Sequence, residues 1–218
     1  APGTGINMGT QKAPNLLRRG EALAELGGPD RFISYGCAWA NASNTPFRLY
    51  KHYCHEGGIR TPLIAHWPAG IIARGGLHPG PGHIVDIMPT LAEIAGAEYP
   101  KSLDGHVIQA MEGVSLVPAF QGKPLARGGP LCFEHERSRA VRDGRWKAVL
   151  AAPGDRWELY DMEADPLEMN NLAAKMPERV QAMAAQWQAW AERAHVLPLT
   201  GDKPRQPKRP GATTKGHE

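Results

Sequence analysis

Apolar positions follow two periods along this chain. Residues 131–136, 139–142, 146–150 and 157–160 are short apolar runs with period-two alternation, which predict four strands. Asp143-Gly144, between the second and third, is a two-residue hairpin signal. A polar connection over 161–171 follows, and Pro177 opens a helix to about Ala194. Its stripe of Val180, Met183, Ala184, Trp187, Trp190 and Ala191 predicts tryptophans packed as core against the small sheet. Upstream, Ile87, Leu91, Ile94 and Ala95 share one helix face, with Asp86 as cap, Pro89 in the first turn and Gly96 as stop. His83 reads as a capping or surface residue, and 97–130 as mostly loop. Further back, Asn44 or Thr45 can cap a helix that Pro46 enters and Gly57-Gly58 end. Such a helix would pack Phe47, Tyr50 and Cys54, and present Arg48, Lys51, His52 and His55 as a cationic stripe. A buried strand over 61–67 closes at Pro68. Near the start, 18–26 suggests a short helix ended by Gly27-Gly28-Pro29, and 34–43 an ordered loop.

Composition narrows the function classes. The chain has 218 residues, enough for one large domain or one and a half, and its 25 Gly and 20 Pro imply long loops. No apolar run reaches the eighteen or so residues of a membrane span. The opening Ala1-Pro-Gly-Thr-Gly5 shows neither a basic nor an apolar signal region, though the chain does not begin with Met. The net charge of +3 lies in the tail: residues 201–218 hold five Lys and Arg against Asp202 and Glu218. The body is balanced and has no basic face to track a phosphate backbone, so nucleic-acid binding is not expected. Cys37, Cys54 and Cys132 are too few and too scattered for a disulfide framework.

The cationic stripe has two readings. A solvated basic face near a helix end is one; an anion site built on Lys51 is the other. Zinc at His52, Cys54, His55 and Glu56 is disfavoured, because no third ligand stands at a standard spacing. Ser115 misses the Gly-x-Ser-x-Gly elbow of a nucleophilic serine.

Lys51 followed by Glu56-Gly57-Gly58-Ile59-Arg60, Pro62 and Trp67-Pro68 resembles the sulfatase family in its arylsulfatase branch. The same order of family motifs continues with 86–91, Ala95-Gly96, 113–116 and Pro118. Beyond these come His135-Glu136, 139–147, 157–161, Asp165-Pro166, Glu168 and 171–173, so the resemblance spans roughly residues 30–195. It implies an α/β fold: the C-terminal part of an alkaline-phosphatase-like α/β/α sandwich, then a small antiparallel β-sheet domain with one long packing helix. The expected division is 1–125 for the large-domain part, 126–197 for the small domain and 198–218 for a disordered basic tail. In the family, a lysine five residues before Glu-Gly-Gly contacts the sulfate group, a role that would fall to Lys51. His135 would stand at the edge of the substrate cleft, where Arg137-Ser138 replaces the Gly-Asn of several relatives.

The resemblance further implies hydrolysis of sulfate esters by a formylglycine nucleophile, made from the cysteine of Cys-x-Pro-x-Arg, with a divalent ion, usually calcium. None of Cys37, Cys54 or Cys132 stands in that motif, and neither Asp-Asp nor Asp-Asn occurs. Nucleophile and calcium ligands are therefore expected in an N-terminal half of the same protein, which would be this chain's partner alongside a sulfate-ester substrate. The chain alone should be inactive. A non-catalytic module that binds an anion or a partner is the alternative, and the family setting is compatible with periplasm or secretion.

Overall fold

A computed structural model describes residues 6–10, 13–18, 32–34, 36–72, 75–152 and 156–199. The chain separates into two compact units, Ala1–Arg60 with Cys132–Glu218, and Thr61–Leu131.

The first unit is built on a four-stranded sheet of Leu131–His135 (β6), Ser138–Asp143 (β7), Trp146–Leu150 (β8) and Glu158–Asp161 (β9), in that order. The alternation seen in the sequence sorts its side chains onto two faces. Val141, Ala148 and Leu159 lie in register on one face and join Cys132, Met183, Trp187, Ala191 and Leu199 in a core. The helix that supplies Met183, Trp187 and Ala191 runs Pro177–Arg193 (α5), as its stripe predicted, and the Trp187 indole donates to the Phe133 carbonyl at 2.9 Å. The β7–β8 hairpin closes on the pair Asp143↔Trp146, so its loop is Gly144-Arg145, one residue later than the Asp-Gly signal implied.

The other face carries Ala140 and Val149, in register with Glu158, and Lys147 beside Tyr160. It is covered by the segment 44–60, with Cys54 packed in a second core beside Ala140, Val149, Tyr160 and Met162. That cover is not the expected helix. Leu49 and His52 have φ of 67° and 84°, left-handed values that break any helical run. Only Glu56–Ile59 (α2) is helical, and Gly57 and Gly58 lie inside it instead of ending it. They are needed for close approach. A Cβ on Gly57 would overlap the carbonyls of Arg48 and Leu49, and one on Gly58 those of Tyr50 and Tyr53. The looped segment is thus wound tightly against α2, and Gly57 N–H donates to Arg48 O at 3.1 Å.

Also in this unit, Ile6–Thr10 (β1) pairs antiparallel with both Ala13–Arg18 (β2) and Phe32–Ser34 (β3). Arg18 therefore ends a strand and does not begin a helix; the rest of the helix expected there lies outside the described residues. The loop expected over 34–43 is largely a helix, Gly36–Ser43 (α1), whose alternating alanines favour helix without leaving an apolar stripe to read.

The second unit is loop-rich. Its helix Ile87–Ala95 (α3) follows a 3-10 turn at Ile84–Asp86 and ends at Gly96 with φ 62°. His83 caps the turn, its Nδ1 accepting from Val85 N–H at 3.3 Å, as the sequence suggested. Asp86 precedes α3 but does not cap it with its side chain. Its carboxylate is fully buried, accepting from His83 N–H (2.7 Å), Val114 N–H (2.9 Å) and both arms of Arg127. Ser102–Leu103 (β4) pairs with His106–Val107 (β5), and Val117–Phe120 (α4) completes the unit. The strand expected over 61–67 does not form. Among the described residues it has no ladder partner, and Leu63 and Ile64 are 62% and 89% exposed. An isolated strand cannot satisfy its own backbone groups, so apolar content alone does not make one. No helix of the described residues is long and apolar enough to cross a membrane.

Candidate functional site

The segment 44–60 sorts its charged side chains by where the chain turns, not by a helical period. Arg48 and His55, expected on the solvent-facing stripe, turn inward. The Arg48 guanidinium donates to the Tyr160 hydroxyl at 3.1 Å and to the Glu168 carbonyl at 3.0 Å. His55 is fully buried, its Nε2 3.0 Å from Glu158 Oε2. That contact, ahead of a 2.5 Å hydrogen bond from Tyr160, holds the Glu158 carboxyl below the usual carboxylate range, although burial opposes it. Burial, reinforced by Glu158, pushes the Tyr160 phenol well up. Cys54 lies against Ser138, whose Oγ accepts from Cys54 N–H at 2.9 Å, and burial raises its thiol pKa. A buried thiol held protonated is no nucleophile, so Cys54 is packing, as its place on an apolar face implied.

Beneath the segment lies a buried charge cluster. Lys147 Nζ is 2.7 Å from Glu56 Oε1 and 2.8 Å from Glu168 Oε1, and Glu168 Oε2 accepts from Glu56 N–H at 2.8 Å. Lys147 and Glu168 are wholly buried. Glu56 is the glutamate of Glu-Gly-Gly, so this clamp anchors the turn that follows Lys51 to strand β8. Sequence reasoning missed Lys147 and Glu168 as structural partners. The available signal was that Lys147 stands at a period-two position among buried neighbours, where a solvated lysine is not expected.

Lys51 and His52 remain outside, in an exposed turn over 51–53. Facing that turn is the tip of the β6–β7 hairpin, Glu136-Arg137, with φ of 48° and 75°. Two left-handed residues in a two-residue loop mark a type I′ turn, usually made by Asn-Gly. His52 Nδ1 reaches Glu136 Oε2 at 2.5 Å, and its ring stacks on that of His135, centroids 5.5 Å apart. The structure therefore brings His135 beside the neighbour of Lys51, with Glu136 as a third member that the sequence had singled out only as part of a motif. Arg48, Cys54 and His55 are excluded from this exposed group. At the rear of the segment, Tyr50 is pushed up to about 12, first by a hydrogen bond with Cys37 and then by burial.

The chain belongs to the sulfatase family, as a C-terminal portion: residues 47–192 match the profile of the N-sulphoglucosamine sulphohydrolase C-terminal region. It is 31% identical over 187 residues to an uncharacterized sulfatase of Schizosaccharomyces pombe, covering 83% of this chain and 34% of that one. It is 38% identical over 130 residues to the choline-sulfatase of Rhizobium meliloti, covering 57% and 23%. Arylsulfatase K of Xenopus laevis is 30% identical over 144 residues, covering 62% and 26%. The chain thus spans about a quarter to a third of the length of these relatives. Among solved structures, Ps i-CgsB superposes with a TM-score of 0.57 at 24% identity, over 67% of this chain and 32% of that one. The α/β class expected from the sequence is the class of the family, and the small sheet with its packing helix is present in this chain.

Proposed function

We propose that this chain is the C-terminal portion of a sulfuric ester hydrolase, in which Lys51 contacts the sulfate group and His135 borders the cleft. The supporting observation is the family match over 47–192 together with the setting of Lys51. Its ammonium stands on an exposed turn, while the Glu-Gly-Gly five residues on is fixed by a buried clamp to β8. A lysine so placed can meet an anion while the packed layer beneath it stays intact. When a sulfate ester breaks, charge grows on the sulfuryl oxygens, and a fixed ammonium stabilises that state more than the ground state.

Nucleophile and calcium belong, in this reading, to the part of the protein that this chain does not span. Calcium takes roughly six to eight oxygen ligands. The carboxylate pairs that would supply them are absent from the sequence, and the exposed ligand group among the described residues is rich in imidazole. The residues present do not fit calcium. Division of the whole protein into a large domain ending near 125 and a small one over 126–197 is part of the same proposal.

The test is steady-state kinetics on Lys51→Ala in the intact protein with an aryl sulfate. Loss of one charge-stabilising donor should lower kcat/KM by about a hundredfold. Lys51→Arg should restore only part of the rate, since a planar fork replaces a point charge poorly. The melting curve should hardly move. Wild-type rates in Lys51→Ala, or losses that merely follow unfolding, would return Lys51 to the role of a solvated surface charge.

A further inference from the structure

We propose that His52, His135 and Glu136 form a binding site for a borderline transition-metal cation such as Zn²⁺. In an extended strand, neighbours such as His135 and Glu136 point to opposite sides. The left-handed turn at Glu136 swings its carboxylate to the side of His135, and the left-handed His52 brings a second imidazole to the same place. The available donor atoms of the three side chains all lie within 4.8 Å of one another. Zinc bonds to nitrogen and oxygen are about 2.0–2.2 Å long, so tetrahedral donors stand about 3.3 Å apart. The 2.5 Å His52–Glu136 contact must open slightly and the wider separations must close, which rotations of exposed side chains allow.

Donor chemistry selects the ion. Two imidazoles and one carboxylate suit zinc, copper or nickel, whereas calcium and magnesium ask for oxygen throughout. Three protein ligands at an exposed site leave a position open for water or an anion. In the chain the site adjoins Lys51, so a bound cation would add positive charge next to the proposed sulfate contact. The binding itself does not depend on that contact. The simpler reading is a surface histidine–glutamate pair with an adjacent stacked ring, and the experiment separates the two.

Zn²⁺ is titrated calorimetrically into the longest natural form of the protein, tag removed, with calcium in excess to fill oxygen sites. One site should appear, weakened at least tenfold in each of His52→Ala, His135→Ala and Glu136→Gln, and unchanged in Cys37→Ser. Because imidazoles bind metal only when neutral, acidification should weaken it. Co²⁺ in the wild-type protein supplies a readout independent of any variant: ligand-field bands without a thiolate charge-transfer band. A site that survives all three substitutions, the absence of any micromolar site, or a thiolate band would overturn the proposal. Because turnover is not measured, failure here is distinct from failure of the sulfatase reading.

Discussion

At the scale of single residues, position in a turn outweighs position in a pattern. Arg48, Lys51, His52 and His55 are spaced as one helical stripe, yet His55 is buried, Arg48 is tied to Tyr160 and Glu168 while partly exposed, and two stand in solvent. Asp86 shows the same for a carboxylate. Burial alone would raise its pKa, but hydrogen bonds from Arg127, Val114 N–H and His83 N–H outweigh burial and hold it below the usual range. A folded-state pKa below the unfolded one contributes stability that is present above about pH 4 and lost as pH falls through the folded value. Asp86→Asn should therefore cost about 3–5 kcal/mol near neutral pH, since it strands a mostly buried guanidinium. The gap to wild type should narrow below about pH 4. Denaturant unfolding of both proteins from neutral to acidic pH would show this, and a gap independent of pH would mean that packing alone is involved.

At the scale of elements, the four-stranded sheet is covered by α5 through hydrophobic contact and by the segment 44–60 through a second apolar core and a buried charge cluster. The charged side is the more specific. Lys147 lies under both Glu56 and Glu168, so removing it leaves the buried Glu168 without its cation and Glu56 with only the Arg60 guanidinium at 3.5 Å. Lys147→Met should destabilise by about 3–5 kcal/mol despite its similar size. Adding Glu168→Gln to Lys147→Met should recover part of that loss, because one stranded charge is then gone. A double-mutant cycle in urea measures the coupling, and strict additivity would count against a shared network. On the α5 side there is no such dependence: Trp187, Met183 and Ala191 are ordinary core, where cost follows lost volume.

At the scale of the whole molecule, the second unit exposes much apolar surface. Ile64, Ile72 and Leu77 are 89%, 89% and 98% exposed, and Leu91 on α3 is 56% exposed. Surface of that kind rarely stays bare in water. The isolated 218-residue chain should therefore self-associate, as read by light scattering across a concentration series. With neither the formylglycine motif nor carboxylate pairs, it should also leave an aryl sulfate unhydrolysed in the presence of calcium. A monodisperse monomer would refute the first expectation, and turnover by rigorously purified chain the second.

Local sequence by itself determined the sheet over 131–161 and the helix from Pro177. There, period and helix signals agree, although the hairpin loop falls one residue after the Asp-Gly signal and Lys147 is buried where its neighbours alone suggested an apolar residue. It marked the helix that ends at Gly96, though not how exposed its stripe is, and left His83 between a cap and a surface residue, which the structure resolves as a cap. It also carried the family, through motifs in order. The fold of 44–60 was decided only in three dimensions. Gly57 and Gly58 read as stop signals from sequence, but their need for close backbone approach becomes visible only against Arg48, Leu49, Tyr50 and Tyr53. The strand expected over 61–67 failed because a strand depends on a partner that the segment itself does not encode. The meeting of His52 with His135 and Glu136 lies across 84 residues of chain and hangs on left-handed turns at non-glycine positions, which no local pattern announces.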